Sequence, residues 1–160
     1  MKNLSRRTVL GFILVGLAGC GRDRRKNKTV TKSPNVPLYP NETPELRALI
    51  EKYAAIYDVP VALVQRVVIR ESTHRPKARN GPYYGLMQIL PQTAISMGYQ
   101  GTPNGLLDAE TNLKYAVKYL RGAWLLSYGD HDKAVSWYAR GYYYEAKRRG
   151  MLVETGLRPN

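Results

Sequence analysis

From Thr43 onward, apolar residues recur every three or four positions in six separate stretches. The pattern predicts helices over about 44–57, 60–72, 86–97, 108–127, 131–139 and 142–150, joined by turns rich in Gly, Pro and Asn. Alternating apolar and polar runs bounded by turns, the mark of strands, are missing. An all-α fold is expected. Thr43-Pro44-Glu45 supplies an N-cap, a proline at the first helical position and an early acid, so the fold is expected to start there. The longest helix opens at Asp108 and is expected to bury Leu113, Ala116, Val117, Leu120, Ala123 and Trp124. Its Lys114, Lys118 and Arg121 form a wet face that needs no functional explanation.

One position breaks the pattern. At about 100° per residue from Val64, Val67 falls at about −60°, Val68 at about +40° and Glu71 at about −20°, inside the arc that the valines define. Gln65, Arg66 and Arg70 fall on the opposite side, and Ile69 is the one apolar residue out of place. Glutamate is almost never buried without a partner, and burial raises a carboxyl pKa, which keeps a proton available near neutral pH. A general acid needs that property. The plain alternative is drift of register at a helix end, where Ser72 opens the chain to solvent.

The first 43 residues follow different rules. Ser5-Arg6-Arg7-Thr8-Val9-Leu10 is a twin-arginine pattern, followed by an apolar run from Val9 to Ala18 that is too short to span a bilayer comfortably. Leu17-Ala18-Gly19-Cys20 resembles a bacterial lipobox, in which the cysteine is lipidated and becomes the first residue. Residues 1–19 are therefore expected to be an export signal. Cys20 is the only cysteine, so an intramolecular disulfide is impossible. Residues 20–43 are polar, basic and proline-containing, which predicts a flexible tether. The expected location is the periplasm, lipid-anchored through Cys20. Gly21 in place of an inner-membrane-retention Asp favours the outer membrane where the host has two.

Charge narrows the partners. The chain carries 25 Lys and Arg against 12 Asp and Glu, a net +13; loss of residues 1–19 removes three cations and no acid, leaving +10. Such a surplus calls for a polyanion or an anionic surface. Nucleic acid is not expected for an exported lipoprotein; anionic lipid head groups or another extracytoplasmic polyanion are. No metal or cofactor is expected.

Downstream of Glu71-Ser72 come Gly85-Leu86-Met87-Gln88-Ile89, then Pro91, Thr93 and Ala94, then a helix carrying Asn112, then Tyr138 and Gly141. In this order and spacing the set resembles the soluble lytic transglycosylase (SLT) family, a lysozyme-like group that cleaves peptidoglycan. The resemblance runs from about Pro60 to Gly141, and it implies a lysozyme-like helical domain over residues 44–160. It also implies Glu71 as the catalytic acid of a one-carboxylate mechanism, with 1,6-anhydro-N-acetylmuramic acid ends as products. Tyr138 corresponds to the tyrosine whose hydroxyl holds that acid, and Gln88 offers a donor and an acceptor to an acetamido or hydroxyl group. Ser72, Tyr84 and Met87 complete the expected substrate contacts; Tyr83 and Tyr84 offer flat faces for sugar rings, while Met87 is equally suited to core packing.

The chain departs from the family pattern at three places. The family's Y-N-A-G reads Tyr138-Ala139-Arg140-Gly141, a serine common before GLMQ aligns with Asn80, and only 19 residues follow Gly141. Two further readings stay open. One is a catalytically weak peptidoglycan-binding lipoprotein; the other is a lysozyme-type hydrolase, for which Glu110 is the best second acid.

Overall fold

A computed structural model describes residues 36–159. The expected export signal, Cys20 and the tether up to residue 35 lie outside the described residues. Six helices and a small hairpin follow in chain order: α1 (Pro44–Tyr57), α2 (Val61–Ser72), β1 (Arg79–Asn80), β2 (Tyr83–Tyr84), α3 (Pro91–Ser96), α4 (Ala109–Ser127), α5 (His131–Arg140) and α6 (Tyr143–Arg148). The 3-10 helix Pro103–Leu107 leads into α4.

The helix ends are written in the sequence. Thr43 Oγ1 accepts the Leu46 amide at 3.2 Å, Asp108 accepts Thr111 at 2.8 Å, and Asp130 accepts Lys133 at 3.1 Å, each satisfying an amide that the helix itself cannot. α4 is the hub, packed most extensively on α5 and α1. Leu113, Ala116, Val117, Leu120 and Ala123 are fully buried, whereas Trp124 is only partly covered at the rim of the core. Gly122 leaves room for the Tyr142 ring, whose hydroxyl donates to the Tyr119 carbonyl at 2.7 Å; a Cβ at Gly122 would collide with that ring.

α2 bears both Glu71 and the apolar stripe that orients it. Leu63, Val64, Val67 and Val68 are all completely buried, and each contributes roughly 1.5–3 kcal/mol. Together they fix the rotation of the helix about its axis, and with it the direction of Glu71. Ile69 stays exposed, as its position implies. Gln65 does not: expected on the wet face, it is buried. Its amide donates to Glu42 Oε1 at 2.7 Å, and its carbonyl faces His74 Nε2 at 2.7 Å.

That bonding explains where the compact unit begins. It starts at Val36, ahead of the Thr43 cap. The Glu42 carboxylate is sealed from solvent, paired with Arg47 at 2.5 Å and bonded to the Tyr39 amide at 2.9 Å. Tyr39 stacks on His74 with ring centroids 5.5 Å apart, and Asn41 donates to the Thr73 carbonyl at 3.0 Å. Composition cannot reveal such pairings.

Three other expectations shift. The helix expected from 86 starts only at Pro91. Gly85 and Gln88 have positive φ (71° and 48°), and Leu90, ahead of the proline, is extended at φ −72°, ψ 139°. The strands are two residues each, too short for any alternation to show, with Arg79 opposite Tyr84 and Asn80 opposite Tyr83. The last helix spans Tyr143–Arg148 and stops before Gly150, where φ is 70°.

Candidate active site

A cleft of about 560 Å³ opens where the C-terminal ends of α2 and α5 meet the hairpin and the loop between β2 and α3. α2 contributes Arg70 and Glu71, the hairpin Asn80 and Tyr83, and the loop Gln88, Ile89 and Leu90. α3 adds Thr93, α4 adds Tyr119, and the end of α5 adds Tyr138, Ala139, Arg140 and Gly141. Among these only Glu71 is a carboxylic acid.

The Glu71 side chain keeps 22% of its surface exposed, so it faces the cleft from a mostly dry wall. Burial pushes its carboxyl up from the ordinary glutamate range, and Arg70, with Nε 3.4 Å away, pulls it partly back without cancelling the rise. The group therefore holds its proton to higher pH than a solvated glutamate. It is poised to give that proton to whatever occupies the cleft.

Behind the cleft wall lies a hydrogen-bonded frame. Asn112, fully buried on α4, accepts the Met87 amide at 3.0 Å and donates to the Tyr84 and Leu106 carbonyls at 2.8 Å each. Gly85 sits against this amide; a Cβ there would overlap the Asn112 side chain and the Leu106 carbonyl, and its φ of 71° disfavours other residues. Ser72 is buried and donates to the Leu86 carbonyl at 2.7 Å, tying the loop to the helix that bears the acid. The Met87 carbonyl accepts the Tyr138 hydroxyl at 2.8 Å. Tyr84 and Ile89 exchange backbone bonds of 3.1 Å, and the Arg79 guanidinium covers the Tyr84 ring at 4.4 Å.

A family model for the transglycosylase SLT domain matches residues 48–149, from within α1 to just past α6. The chain belongs to the transglycosylase SLT family. The helical, lysozyme-like architecture expected from the motifs is thereby established, together with a peptidoglycan-directed activity of the lytic transglycosylase type in its general form.

Within this SLT domain the expected site residues separate into two sets. Glu71, Gln88 and Tyr138 line the cleft. Ser72, Tyr84 and Met87, expected to touch substrate, stand buried behind the wall: Ser72 bonds to the loop from the last turn of α2, Tyr84 ends the hairpin on β2, and Met87 in the loop keeps no exposed surface. Tyr138 donates its proton to the Met87 carbonyl rather than to Glu71. Burial drives its phenol well above the usual range and the Glu71 charge adds to the push, so it stays neutral. Gln88 spends its amide on the Gly85 and Ala78 carbonyls at 2.8 and 3.1 Å, leaving a buried Oε1 without a partner among the described residues.

Glu110, the alternative second acid, is absent from the cleft. It accepts from Lys52 Nζ at 2.5 Å and from the Tyr53 hydroxyl at 3.1 Å, and those bonds hold its carboxyl below the usual range. Sequence reasoning missed Tyr119. It stacks on Tyr142 (4.6 Å) and meets Tyr138 edge to face (5.5 Å), and burial pushes its phenol up to about 12. Its only signal was helical spacing among 13 tyrosines.

Proposed function

We propose that the SLT domain cleaves the β-1,4 bond between N-acetylmuramic acid and N-acetylglucosamine by intramolecular transfer, forming 1,6-anhydro-N-acetylmuramic acid ends. One observation carries the reading: Glu71 is the single carboxyl group lining the cleft, and burial favours its protonated form. In the first step protonated Glu71 gives its proton to the departing glycosidic oxygen. The substrate's acetamido carbonyl shields the cationic anomeric carbon, as in glycosidases that recruit this group in place of a second carboxylate. Glu71, now a carboxylate, takes the proton of the C6 hydroxyl of the same sugar. That oxygen attacks the anomeric carbon and closes the anhydro ring, and the acid is restored. The tethered hydroxyl has a high effective concentration, which favours it over water.

A hydrolase of lysozyme type needs a second carboxylate at ~5–5.5 Å or ~6.5–9.5 Å from the acid, and the cleft offers none. A protein that only binds cell wall would co-sediment with it and release nothing. Mass analysis of muropeptides released from purified sacculi separates all three. Products lighter by one water than reducing muropeptides and resistant to borohydride are expected; predominantly reducing N-acetylmuramic acid ends would overturn the reading. The same proposal takes the N-terminal signals at face value: export, a lipid on Cys20, and action on peptidoglycan from the periplasmic side of the outer membrane.

A further inference from the structure

The cleft holds two arginines and one glutamate, and only one of the arginines is matched. Arg70 pairs with Glu71. Arg140 pairs with no carboxylate among the described residues. Its guanidinium lies 3.8 Å above the Trp137 ring, so an indole face braces it in the cleft lining while its edge donors bond to none of the described residues. A basic residue in the last turn of α5 also suits the helix dipole, but that role needs only charge, and lysine would serve. A planar fork held flat on an aromatic face suits a two-oxygen anion.

We propose that Arg140 is a specificity residue that receives a carboxylate of the peptide substituent carried by the glycan strand, so that the enzyme favours peptidoglycan whose peptide carboxylates are free. The inference rests on the proposed function, because it takes the occupant of the cleft to be a peptide-bearing glycan. Ala139 beside it is small and exposed, which leaves the rim open for a branch to leave the cleft at this point.

The test compares purified sacculi with the same sacculi after their carboxylates have been converted to amides by carbodiimide and ammonia. For the wild-type chain kcat/KM should fall roughly tenfold on amidation, the scale of one charge-assisted pair. In Arg140→Gln the free-to-amidated ratio should drop close to one, mainly through KM; Arg140→Lys should recover only part of it. Lys147→Gln removes one exposed cation on α6 away from the cleft and should keep the wild-type ratio. Each ratio is taken within one variant, so partial loss of folded protein cancels. A ratio that persists in Arg140→Gln, that falls equally in Lys147→Gln, or that is already one in the wild type overturns the proposal. Should no variant cleave either substrate, the transfer reaction fails while Arg140 stays testable: co-sedimentation of Glu71→Gln with the two kinds of sacculi, with and without Arg140→Gln, reads the same ratio as binding.

Discussion

Glu71 is held by its neighbours on α2 rather than by its own bonds, and that makes its chemistry separable from stability. An amide of equal size packs in the same place but has no proton to deliver. Glu71→Gln should therefore lower glycan cleavage by at least ~100-fold, the usual scale for a general acid, while helicity and thermal unfolding stay near wild type. Activity within a few-fold of wild type would remove Glu71 from the reaction. Arg70 offers a subtler handle. Burial raises the Glu71 pKa and the Arg70 charge lowers it; because the acid must be protonated to start the reaction, activity falls as pH rises through that pKa. Arg70→Gln removes the opposing charge, so the basic limb of the rate profile should move to higher pH. A limb that moves down or stays put would show that another group sets it. The inward direction of Glu71 was legible in helical spacing. Its moderated burial was not, since a cation one residue along the chain reads as belonging to the wet face and yet reaches around to the acid at 3.4 Å.

At the scale of elements, the helices were legible and the loop that completes the site was not. α1, α4 and α5 announce themselves through local caps and periodic burial, which depend on residues three or four apart. The stretch from Gly85 to Leu90 owes its shape to Asn112, more than 20 residues downstream, and to a non-glycine residue, Gln88, held at positive φ by its own side-chain bonds to Gly85 and Ala78. No local pattern carries that information, so the apolar residues Leu86, Met87 and Ile89 read as the start of a helix. The consequence is measurable. Asn112→Ala leaves the buried Met87 amide and the Leu106 carbonyl without partners, at roughly 1–3 kcal/mol per group, and takes from the Tyr84 carbonyl one of its two bonds, the Ile89 amide being the other. The variant should unfold at clearly lower denaturant or temperature, and should lose cleavage even where it is folded, because the Met87 carbonyl no longer fixes Tyr138. Wild-type stability with unchanged turnover would mean that the frame holds without Asn112.

Over the whole molecule, the proposed lipid anchor bears on where the domain works, and a buried cluster ahead of α1 bears on how it withstands acid. Cys20→Ser should free the protein from membranes or stall its processing, which fractionation followed by blotting would read; processed protein still sedimenting with membranes would assign retention to the basic residues near the anchor instead. The second feature is the buried cluster that clamps Tyr39–Glu42 to the base of α2. Burial alone would raise the Glu42 carboxyl, but hydrogen bonds from Arg47, the Tyr39 amide and Gln65, with the Arg47 charge, overcome it and hold the pKa at about 2, against 4.5 for a free glutamate. Its contribution is thus complete above pH 4.5 and drains away as pH falls towards 2. His74, facing Glu42, Gln65, Arg47 and Tyr39, acts in the same direction: burial lowers its pKa below 6.5, so protonation in the unfolded chain already weakens the fold just under that pH. The domain should accordingly lose a few kcal/mol between neutral pH and pH 3, beginning below 6.5 and steepening below 4.5. Glu42→Gln should be less stable at pH 7 and show a shallower decline, since the carboxylate that titrates in the native contacts is gone. A variant with the same acid slope as wild type would place the titrating group elsewhere and leave the clamp a packing contact only.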